Sequence, residues 1–491
     1  MKTKYVKSAV LSAVLLLFTI LNTQAQVVAY LPTQGVPQKN DFKVCIIQNG
    51  KSFSSPTYQV AVDRVQNARH QVEQASMTQF SFGGEIRIRL EYTREKIDSV
   101  RIRPNSLGIK PEVKGQNIEF TLAHPTQLSV EVNGDIYHNL HLFANPLEKT
   151  NRQINRVARS FKPKFQSYST GKGLIYFPAG IHDLSKNKEP LRIPSNTTVY
   201  IAGGAWIKGQ LRIDSAENVR VVGRGIIDCN QRAGLYISHS RNVSVEGIIL
   251  SQCPVGNSSR VDIENVKVIS AFGWGDGFNV FAADSVSYNH CFARTSDDCT
   301  TVYATRKGFV GGASHIHMQN STLWADVAHP IFIGLHGNVE HPDTIENLLY
   351  ENIDILGQRE FQTDYQGCLA IGAGDLNVVR NVTFRNIRVE SIEEGQLINI
   401  RTTFNRKYCK APGQLVENIT FDNISYQGAK PNLSILAAFD ENHSIRNIRF
   451  RNLNINGKHI YDSMPEKPKW YKTSDFANMY VGENVYNVTF E

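Results

Sequence analysis

Three aspartates in the middle of the sequence have the residue type and spacing that acid–base catalysis needs. Asp276 lies in the segment Gly273-Trp274-Gly275-Asp276-Gly277, and the adjacent pair Asp297 and Asp298 follows after a short interval. Clustered carboxyl groups repel one another, so at least one keeps its proton near neutral pH. Such a set can cleave a glycosidic bond: one acid protonates the leaving oxygen, while carboxylates across about 6.5–9.5 Å activate water and configuration is inverted. An Asp-Asp pair alone is also typical of a solvated turn or a calcium site.

A loose repeat in the surrounding sequence can bring these acids together. Phrases of the form Asn-apolar-x-apolar recur, with two weaker copies headed by Ser285 and His315. The stronger copies are headed by Asn218, Asn242, Asn265, Asn347, Asn381, Asn418 and Asn447. The early intervals are short, as between Asn218 and Asn242, and the later ones are longer, as between Asn381 and Asn418. This pattern indicates one supersecondary unit per repeat with loops of variable length.

The repeat unit consists of strands and turns, because its β-branched and aromatic residues recur with period two and helical periodicity is almost absent. Stacking such units predicts a right-handed parallel β-helix, with the leading Asn in a turn that tolerates left-handed backbone. Adjacent coils lie about 4.8 Å apart, so Asp276 and the Asp297–Asp298 pair can share one face. Both members of an adjacent pair reach one face only at a bulge or a strand end.

A different pattern precedes the repeat. Short alternating runs between about 26 and 165, such as Ile86 to Tyr92, predict half-buried antiparallel strands and hence a β-sandwich. The polar stretch 151–172 is the predicted linker. We therefore expect an all-β protein with a signal peptide at 1–25, a β-sandwich domain with linker at 26–165, and a parallel β-helix catalytic domain at 166–491.

The N-terminus and the composition indicate an exported protein. Lys2, Lys4 and Lys7 precede an apolar run at 9–21, and Thr23-Gln24-Ala25 offers a small-residue cleavage site. We expect a periplasmic or secreted protein with no membrane partner after signal removal. The formal charge of +8 is scattered without Lys/Arg runs, which argues against a nucleic-acid partner. No phosphate-cradling glycine motif or zinc spacing occurs, so we predict no cofactor and no metal, and we expect a monomer.

The number of cysteines argues against a disulfide framework. Seven cysteines is an odd count in a chain of this size. The interval from Cys229 to Cys253 equals the interval from Asn218 to Asn242, which predicts that the two cysteines occupy equivalent positions of adjacent coils.

Aromatic and cationic residues near the acids are candidates for sugar binding. An exposed indole stacks well on the flat, apolar face of a sugar ring, which makes Trp274 and Trp324 candidate platforms. Tyr303 and the cations Arg306 and Lys307 follow the aspartate pair directly, where they can line a cleft or form a solvated loop.

Successive segments lead to the acids, namely Phe177-Pro178-Ala179-Gly180, Ile193-Pro194-Ser195-Asn196-Thr197-Thr198 and Gly223-Arg224-Gly225-Ile226-Ile227-Asp228, followed by Gly-Asp-Gly and Ser-Asp-Asp-Cys. These segments resemble the coils of β-helix polysaccharide hydrolases of glycoside hydrolase family 28, the pectinase type, and of the related dextranase and isopullulanase family 49. The resemblance covers about 170–330, and a sandwich before the helix is more like family 49.

The resemblance implies roles for individual residues. By it, Asp276 and Asp298 activate water and Asp297 is the general acid. The segment Ala328 to Gly334 resembles the family 28 coil that carries Gly-His-Gly, which implies that His329 lies near the acids. A lone histidine is otherwise more often a hydrogen-bonded structural residue.

One departure from family 28 bears on the substrate. The Arg-x-Lys that family 28 uses for uronate carboxylates is missing from Cys368-Leu369-Ala370-Ile371-Gly372, and Asn399-Ile400-Arg401 supplies a similar string only one coil later. We therefore predict an inverting hydrolase of a neutral polysaccharide, such as an α-glucan, with Arg401 as a further substrate-binding candidate. The alternatives are a polygalacturonan hydrolase, a calcium-dependent polysaccharide lyase and a noncatalytic glycan-binding β-helix.

Overall fold

The computed structural model describes residues 26–66, 69–149, 152–160, 168–171, 173–229 and 232–491. The predicted export signal at 1–25 lies outside these residues. Among the residues described, no helix combines the length and the hydropathy that crossing a membrane requires.

The first part of the described chain folds into two facing sheets. Its strands are β1 (Gln26–Ala29), β2 (Phe42–Gln48), β3 (Lys51–Ser55), β4 (Tyr58–Gln66), β5 (Arg69–Gly83), β6 (Ile86–Tyr92), β7 (Val100–Arg103), β8 (Glu112–Lys114), β9 (Asn117–Leu122), β10 (Thr126–Val132) and β11 (Asp135–Pro146), with a 3-10 turn at Asn105–Leu107. One sheet has the order β1-β5-β11-β10-β7 with β4 beside β5, and the other has the order β3-β2-β6-β9-β8.

Buried apolar and exposed polar residues alternate along these strands, and the buried ones form the core of the sandwich. In β6, Ile86, Ile88 and Leu90 are buried while Arg87 and Arg89 point to solvent. The buried side chains of both sheets meet in one apolar cluster, which confirms the predicted sandwich. Most pairs are antiparallel as predicted, but β11 runs parallel to β5.

The stretch predicted as a linker contains a helix. Helix α1 (Arg152–Ser160) forms within 151–172. Ile154 is buried and Val157 partly buried, and their spacing of three positions places both on one helix face.

The rest of the chain winds into stacked coils. Its strands are β12 (Ser169–Gly171), β13 (Leu174–Phe177), β14 (Gly180–Asp183), β15 (Leu191–Arg192), β16 (Thr198–Ile201), β17 (Ala205–Lys208), β18 (Leu211–Asp214), β19 (Glu217–Gly223), β20 (Ile226–Asp228), β21 (Leu235–Ser238), β22 (Arg241–Glu246), β23 (Ile249–Leu250), β24 (Val255–Gly256), β25 (Ser259–Glu264), β26 (Lys267–Ile269), β27 (Phe278–Phe281), β28 (Asp284–Asn289), β29 (Phe292–Thr295), β30 (Thr300–Tyr303), β31 (Ala313–Ala325), β32 (Ile331–Gly334), β33 (Thr344–Gly357), β34 (Leu369–Ala373), β35 (Val378–Val389), β36 (Ile398–Thr402), β37 (Leu415–Tyr426), β38 (Ser434–Ala437), β39 (Ile445–Ile455), β40 (Lys458–Ile460), β41 (Met479–Val481) and β42 (Val485–Phe490). A 3-10 turn at Thr363–Tyr365 and helix α2 (Thr473–Phe476) lie in the connections.

These strands form two long sheets. A 20-stranded sheet follows two sides of the coils, and an 11-stranded sheet of order β15-β18-β21-β24-β27-β30-β32-β34-β36-β38-β41 follows the third. Pairing from coil to coil is parallel, as between Val219 and Val243. The predicted parallel β-helix is therefore confirmed, and its interior is one continuous apolar cluster.

The leading asparagines adopt the predicted turn conformation and stack on one another. Asn218, Asn242, Asn381 and Asn418 all have φ between 55° and 58°. Asn242 Nδ2 donates to Asn218 Oδ1 at 2.6 Å, and Asn418 Nδ2 donates to Asn381 Oδ1 at 3.1 Å. Each amide thus satisfies the next coil's amide along the helix axis.

The repeat phrase headed by Asn265 does not begin at the same corner of its coil as the other phrases. Val243 pairs with Val261, so the equivalent coil is headed by Arg260 and not by Asn265. Arg260 takes the left-handed turn at φ 54°. The Asn265 phrase mimics the pattern but begins at the following corner, where Asn265 also has positive φ.

The cysteines are unpaired, as the odd count predicts. All seven carry free thiols. Cys229 and Cys253 are not at equivalent positions, because Ile227 pairs with Leu250 and continuing that register aligns Cys229 with Gln252. That prediction was wrong.

The sandwich packs on one flank of the β-helix. The shared apolar cluster contains Val36, Tyr58, Val62, Ala75, Met77 and Phe143 from the sandwich and Trp206, Ile226, Ile249, Ile269 and Phe292 from the coils. Beside it, Arg294 forms a two-bond ion pair with Asp326 at 2.8 and 3.0 Å. The guanidinium also lies 3.8 Å from the ring centre of Trp324.

Candidate active site

The acids lie along the side of the 11-stranded sheet where its strands begin, each just before the first residue of a strand. Asp276 precedes β27 and the Asp297–Asp298 pair precedes β30. Because β27 and β30 pair directly, with Phe278 opposite Thr300, the three side chains converge. One oxygen from each carboxylate lies within 4.8 Å of the others. The pair reaches a single site because it lies at a strand end, as the spacing argument requires.

Glycines allow the two acid-bearing loops to approach this closely. A Cβ at Gly277 would lie 2.3 Å from the carbonyl oxygen of Cys299, and one at Gly275 would lie 2.4 Å from Ser296 Oγ. The loop around Asp276 is further tied down by Ser296 Oγ, which donates to the carbonyl of Phe272 at 2.6 Å. A larger residue at Gly277 would push Asp276 away from the pair.

Asp298 is surrounded by hydrogen-bond donors. His329 donates to Asp298 Oδ1 through its backbone N–H at 3.1 Å and its ring Nδ1 at 2.7 Å, and Tyr303 Oη donates to Oδ2 at 3.3 Å. The other ring nitrogen of His329 donates to the carbonyl of Tyr365. With acceptors at both nitrogens, the ring is held as an imidazolium, which stabilises Asp298 as a carboxylate.

The pKa of His329 agrees with this arrangement. Burial by itself lowers the pKa of the imidazole, but the neighbouring Asp298 carboxylate, its hydrogen bond and the charge of Glu360 outweigh burial and raise that pKa. His329 and Asp298 therefore form a buried ion pair behind the other two acids.

The other two acids hold protons more strongly. Removal from water, followed by the charge of Asp298, raises the pKa of Asp276 to about 7. Removal from water, then the charges of Asp298 and Asp276, raises the pKa of Asp297 well above its ordinary value. The site thus combines a carboxyl group paired with an imidazolium and two carboxyl groups whose pKa values lie above the ordinary range.

The same three carboxylates are close enough to hold a divalent cation, since such ions prefer carboxylate oxygens. A calcium-dependent activity would therefore use the same residues as acid–base catalysis.

The predicted binding residues fall into different places. The Trp274 side chain is 74% exposed beside Asp276, on a residue with φ 63°. His329 and Tyr303 are buried and contact Asp298 from behind. Both are therefore placed to position that carboxylate rather than to lie on the surface of the site.

Trp324 does not belong to the site, so that prediction was wrong. Its side chain is 1% exposed and packs between Arg294 and the sandwich residue His141. The sandwich covers this face of the coil, which the sequence pattern does not reveal.

Arg401 lies outside the acid cluster. It is on β36, three strands beyond β30 in the 11-stranded sheet, which corresponds to roughly 14 Å along the axis. Its Nε donates to Asn399 Oδ1 at 3.1 Å, and burial lowers its pKa. A role for Arg401 toward a distant sugar unit stays a prediction.

Charged residues outside the acid cluster shift the pKa values of site residues. Glu360 is 2% exposed, burial raises its pKa, and its charge acts on His329 and Asp297. Lys307 and Arg306 lower the pKa of Asp276 through their positive charges. Glu360 was missed because it lies in a long corner loop after β33, outside the repeat phrases.

Fold and site together define an enzyme of the β-helical glycoside hydrolase type. Residues 194–470 match the model of Glycosyl hydrolases family 28. This match spans more than half of the chain, so the chain belongs to that family.

Named relatives extend the comparison. Isopullulanase of Aspergillus niger is 21% identical over 445 residues, which cover 75% of this chain and 74% of that protein. Dextranase of Arthrobacter globiformis is 20% identical over 280 residues, covering 46% and 41%. The structure of Dex49A from Penicillium minioluteum superposes with a TM-score of 0.57 at 14% identity, covering 94% of this chain and 96% of that one. The predicted resemblance to families 28 and 49 is confirmed.

Proposed function

We propose that this protein is an exported glycoside hydrolase that cleaves a neutral polysaccharide with inversion of configuration. The observation that carries the proposal is the convergence of three carboxyl groups in different surroundings: Asp298 is paired with His329, whereas burial raises the pKa values of Asp276 and Asp297. The missing Arg-x-Lys and the similarity to isopullulanase and dextranase favour a neutral α-glucan. Export rests on the residue pattern of the first 25 positions.

In the proposed reaction, each acid has one task. Asp297 transfers its proton to the glycosidic oxygen as the bond from that oxygen to the anomeric carbon breaks. Asp276 takes a proton from a water molecule whose oxygen attacks the same carbon from the opposite face. Asp298, held charged by His329, orients that water and stabilises positive charge on the sugar ring.

One oxygen from each carboxylate lies within 4.8 Å of the others, whereas the roughly 6.5–9.5 Å typical of inverting enzymes is the separation of whole carboxyl groups. Inversion is instead supported by the third carboxyl group, because two carboxylates besides the acid can hold one water between them.

A substrate panel tests the proposal. Purified protein is incubated with dextran, pullulan and polygalacturonan, and proton NMR records the first anomer released. We expect cleavage of a neutral polymer and a product with the anomer opposite to the bond cleaved. Retention of configuration would refute the inverting assignment. Products that absorb ultraviolet light, with activity lost on chelation, would identify a lyase, and binding without sugar release would identify an adhesin.

A polygalacturonan hydrolase is the second candidate. The cations Arg306 and Lys307 lie close enough to Asp276 to lower its pKa, and they can pair with uronate carboxylates. Cleavage of polygalacturonan in preference to dextran and pullulan would favour this candidate.

The pH dependence of kcat/KM should reflect the titration of Asp276. A base must be deprotonated, so kcat/KM should fall as the pH drops through a value near 7, and it should fall again at high pH as Asp297 loses its proton. Lys307→Met removes a charge that lowers the pKa of Asp276, so the acidic limb should move to higher pH. Lys110→Met, an exposed lysine of the sandwich, is the control and should leave the profile unchanged. An acidic limb that does not move in Lys307→Met would contradict the role of Asp276.

A further inference from the structure

A cleft separates the sandwich from the corner loops of the β-helix next to the acids. Its volume is about 690 Å³. On the sandwich side it is lined by one face of the hairpin formed by β4 and β5, including Ala61, Asp63 and Val72. These side chains share that face because Asp63 pairs with Val72, and Ala61 with Gln74, across the hairpin.

The cleft reaches the segment of the chain that leads to Asp276. Residues 270–273 line it, and the same loop continues through the exposed Trp274 to Asp276. At its far end the hairpin packs Val65 against Val327 and Ala328, which directly precede His329. The hairpin therefore faces one corner segment that leads to Asp276 and contacts another that leads to His329, and in the chain Trp274 lies between the first segment and Asp276.

The lining suits uncharged sugars. The exposed apolar surface comes from Val72, which is 52% exposed, while the buried coil residues Ile249 and Ile269 lie at the base of the cleft. Polar groups come from Asp63 and Asp228. Asp63 Oδ2 accepts from His70 at 2.6 Å, and Asp63 Oδ1 has no hydrogen-bond partner among the described residues. Among the described residues that line the cleft there is no lysine or arginine. Acceptor oxygens beside apolar walls match sugar hydroxyls and ring faces, whereas they repel uronate carboxylates.

We infer that this cleft binds sugar units of a neutral polysaccharide at a distance from the bond being cleaved, with the chain passing over Trp274 to the acids. The inference rests on the proposed function and makes the sandwich hairpin part of the substrate-binding surface. Substrates long enough to enter the cleft gain contacts that short ones lack.

The test measures binding separately from catalysis. In an Asp297→Asn background, isothermal titration calorimetry measures the affinity for seven-unit isomalto- and malto-oligosaccharides and for the corresponding two-unit sugars. Adding Val72→Arg should weaken binding of the longer neutral probe about tenfold, since one lost sugar contact of about 1.4 kcal/mol has that effect. Binding of the two-unit sugars should not change.

Matched variants separate the cleft from general damage. Val113→Arg changes another exposed valine on a sandwich strand outside the cleft and should leave affinity unchanged. Gly273→Leu, at a position where an added Cβ meets nothing within 4 Å, narrows the cleft from the other side and should reproduce the effect of Val72→Arg.

The outcomes are distinct. Equal affinities in the Val72→Arg, Gly273→Leu and Val113→Arg proteins would overturn the inference, as would failure to bind either neutral seven-unit probe or stronger binding of seven-unit galacturonide. Hydrolysis of a neutral polymer by the wild-type enzyme in the panel decides the proposed function independently of these affinities.

Discussion

Replacing Asp297 by alanine is expected to reduce hydrolysis of the natural polymer by about 10²–10⁴-fold, the range typical of a positioned general acid. The same variant should lose far less activity on a glycosyl fluoride or an activated aryl glycoside. A leaving group that departs easily needs no proton, so the function of Asp297 becomes dispensable. Steady-state kinetics on both substrate types, with the same sugar, measure the difference.

Variants of the other two acids and of an exposed aspartate are compared on the same two substrate types. Asp276→Ala and Asp298→Ala should be impaired on both substrates, because water must be activated whatever the leaving group. Asp364→Ala, an exposed aspartate in a corner loop on the same side of the helix, is the control and should retain activity. Equal losses for Asp297→Ala on both substrates would contradict its assignment as the acid.

Asp326→Asn should lower the free energy of unfolding by about 3–5 kcal/mol, the typical result of removing one partner of a buried ion pair. The side chains of Arg294 and Asp326 are 0% and 2% exposed, at the junction of sandwich and β-helix. The amide keeps the shape of the carboxylate but leaves the guanidinium charge uncompensated. Chemical denaturation followed by circular dichroism measures the change.

A surface pair provides the comparison. Lys43 and Glu91 form an ion pair at 2.8 Å with both side chains largely exposed. Glu91→Gln should therefore cost less than about 1 kcal/mol. Equal losses in the two variants would show that the buried pair has no special contribution.

The acid cluster could be predicted from the sequence because its geometry depends on local register. In a parallel β-helix, residues one coil apart are neighbours, so an interval of one coil places Asp276 beside the Asp297–Asp298 pair. His329, one coil further, follows from the same counting and lies against Asp298. The candidate catalytic residues thus lie on three successive coils.

Contacts between distant parts of the chain could not be predicted in this way. Trp324 has a flat indole ring that is suited to stacking on a sugar, but the sandwich strand that carries His141 covers it. The repeat pattern of the sequence does not indicate that contact. The same holds for the packing of Val65 on Val327. Glu360 belongs to a corner loop without a repeat phrase, so nothing in its neighbours indicates that it acts on His329.

The stacked asparagines keep successive coils in register whatever the length of each coil. The coil between Val382 and Ile419 is about one and a half times as long as the coil between Val219 and Val243, yet each keeps its strand in register with the next. An insertion in a corner therefore reshapes the walls around a bound chain without altering the vertical distance between the carboxylates. Such a scaffold can acquire new substrates through changes in loop length while its chemistry is inherited intact.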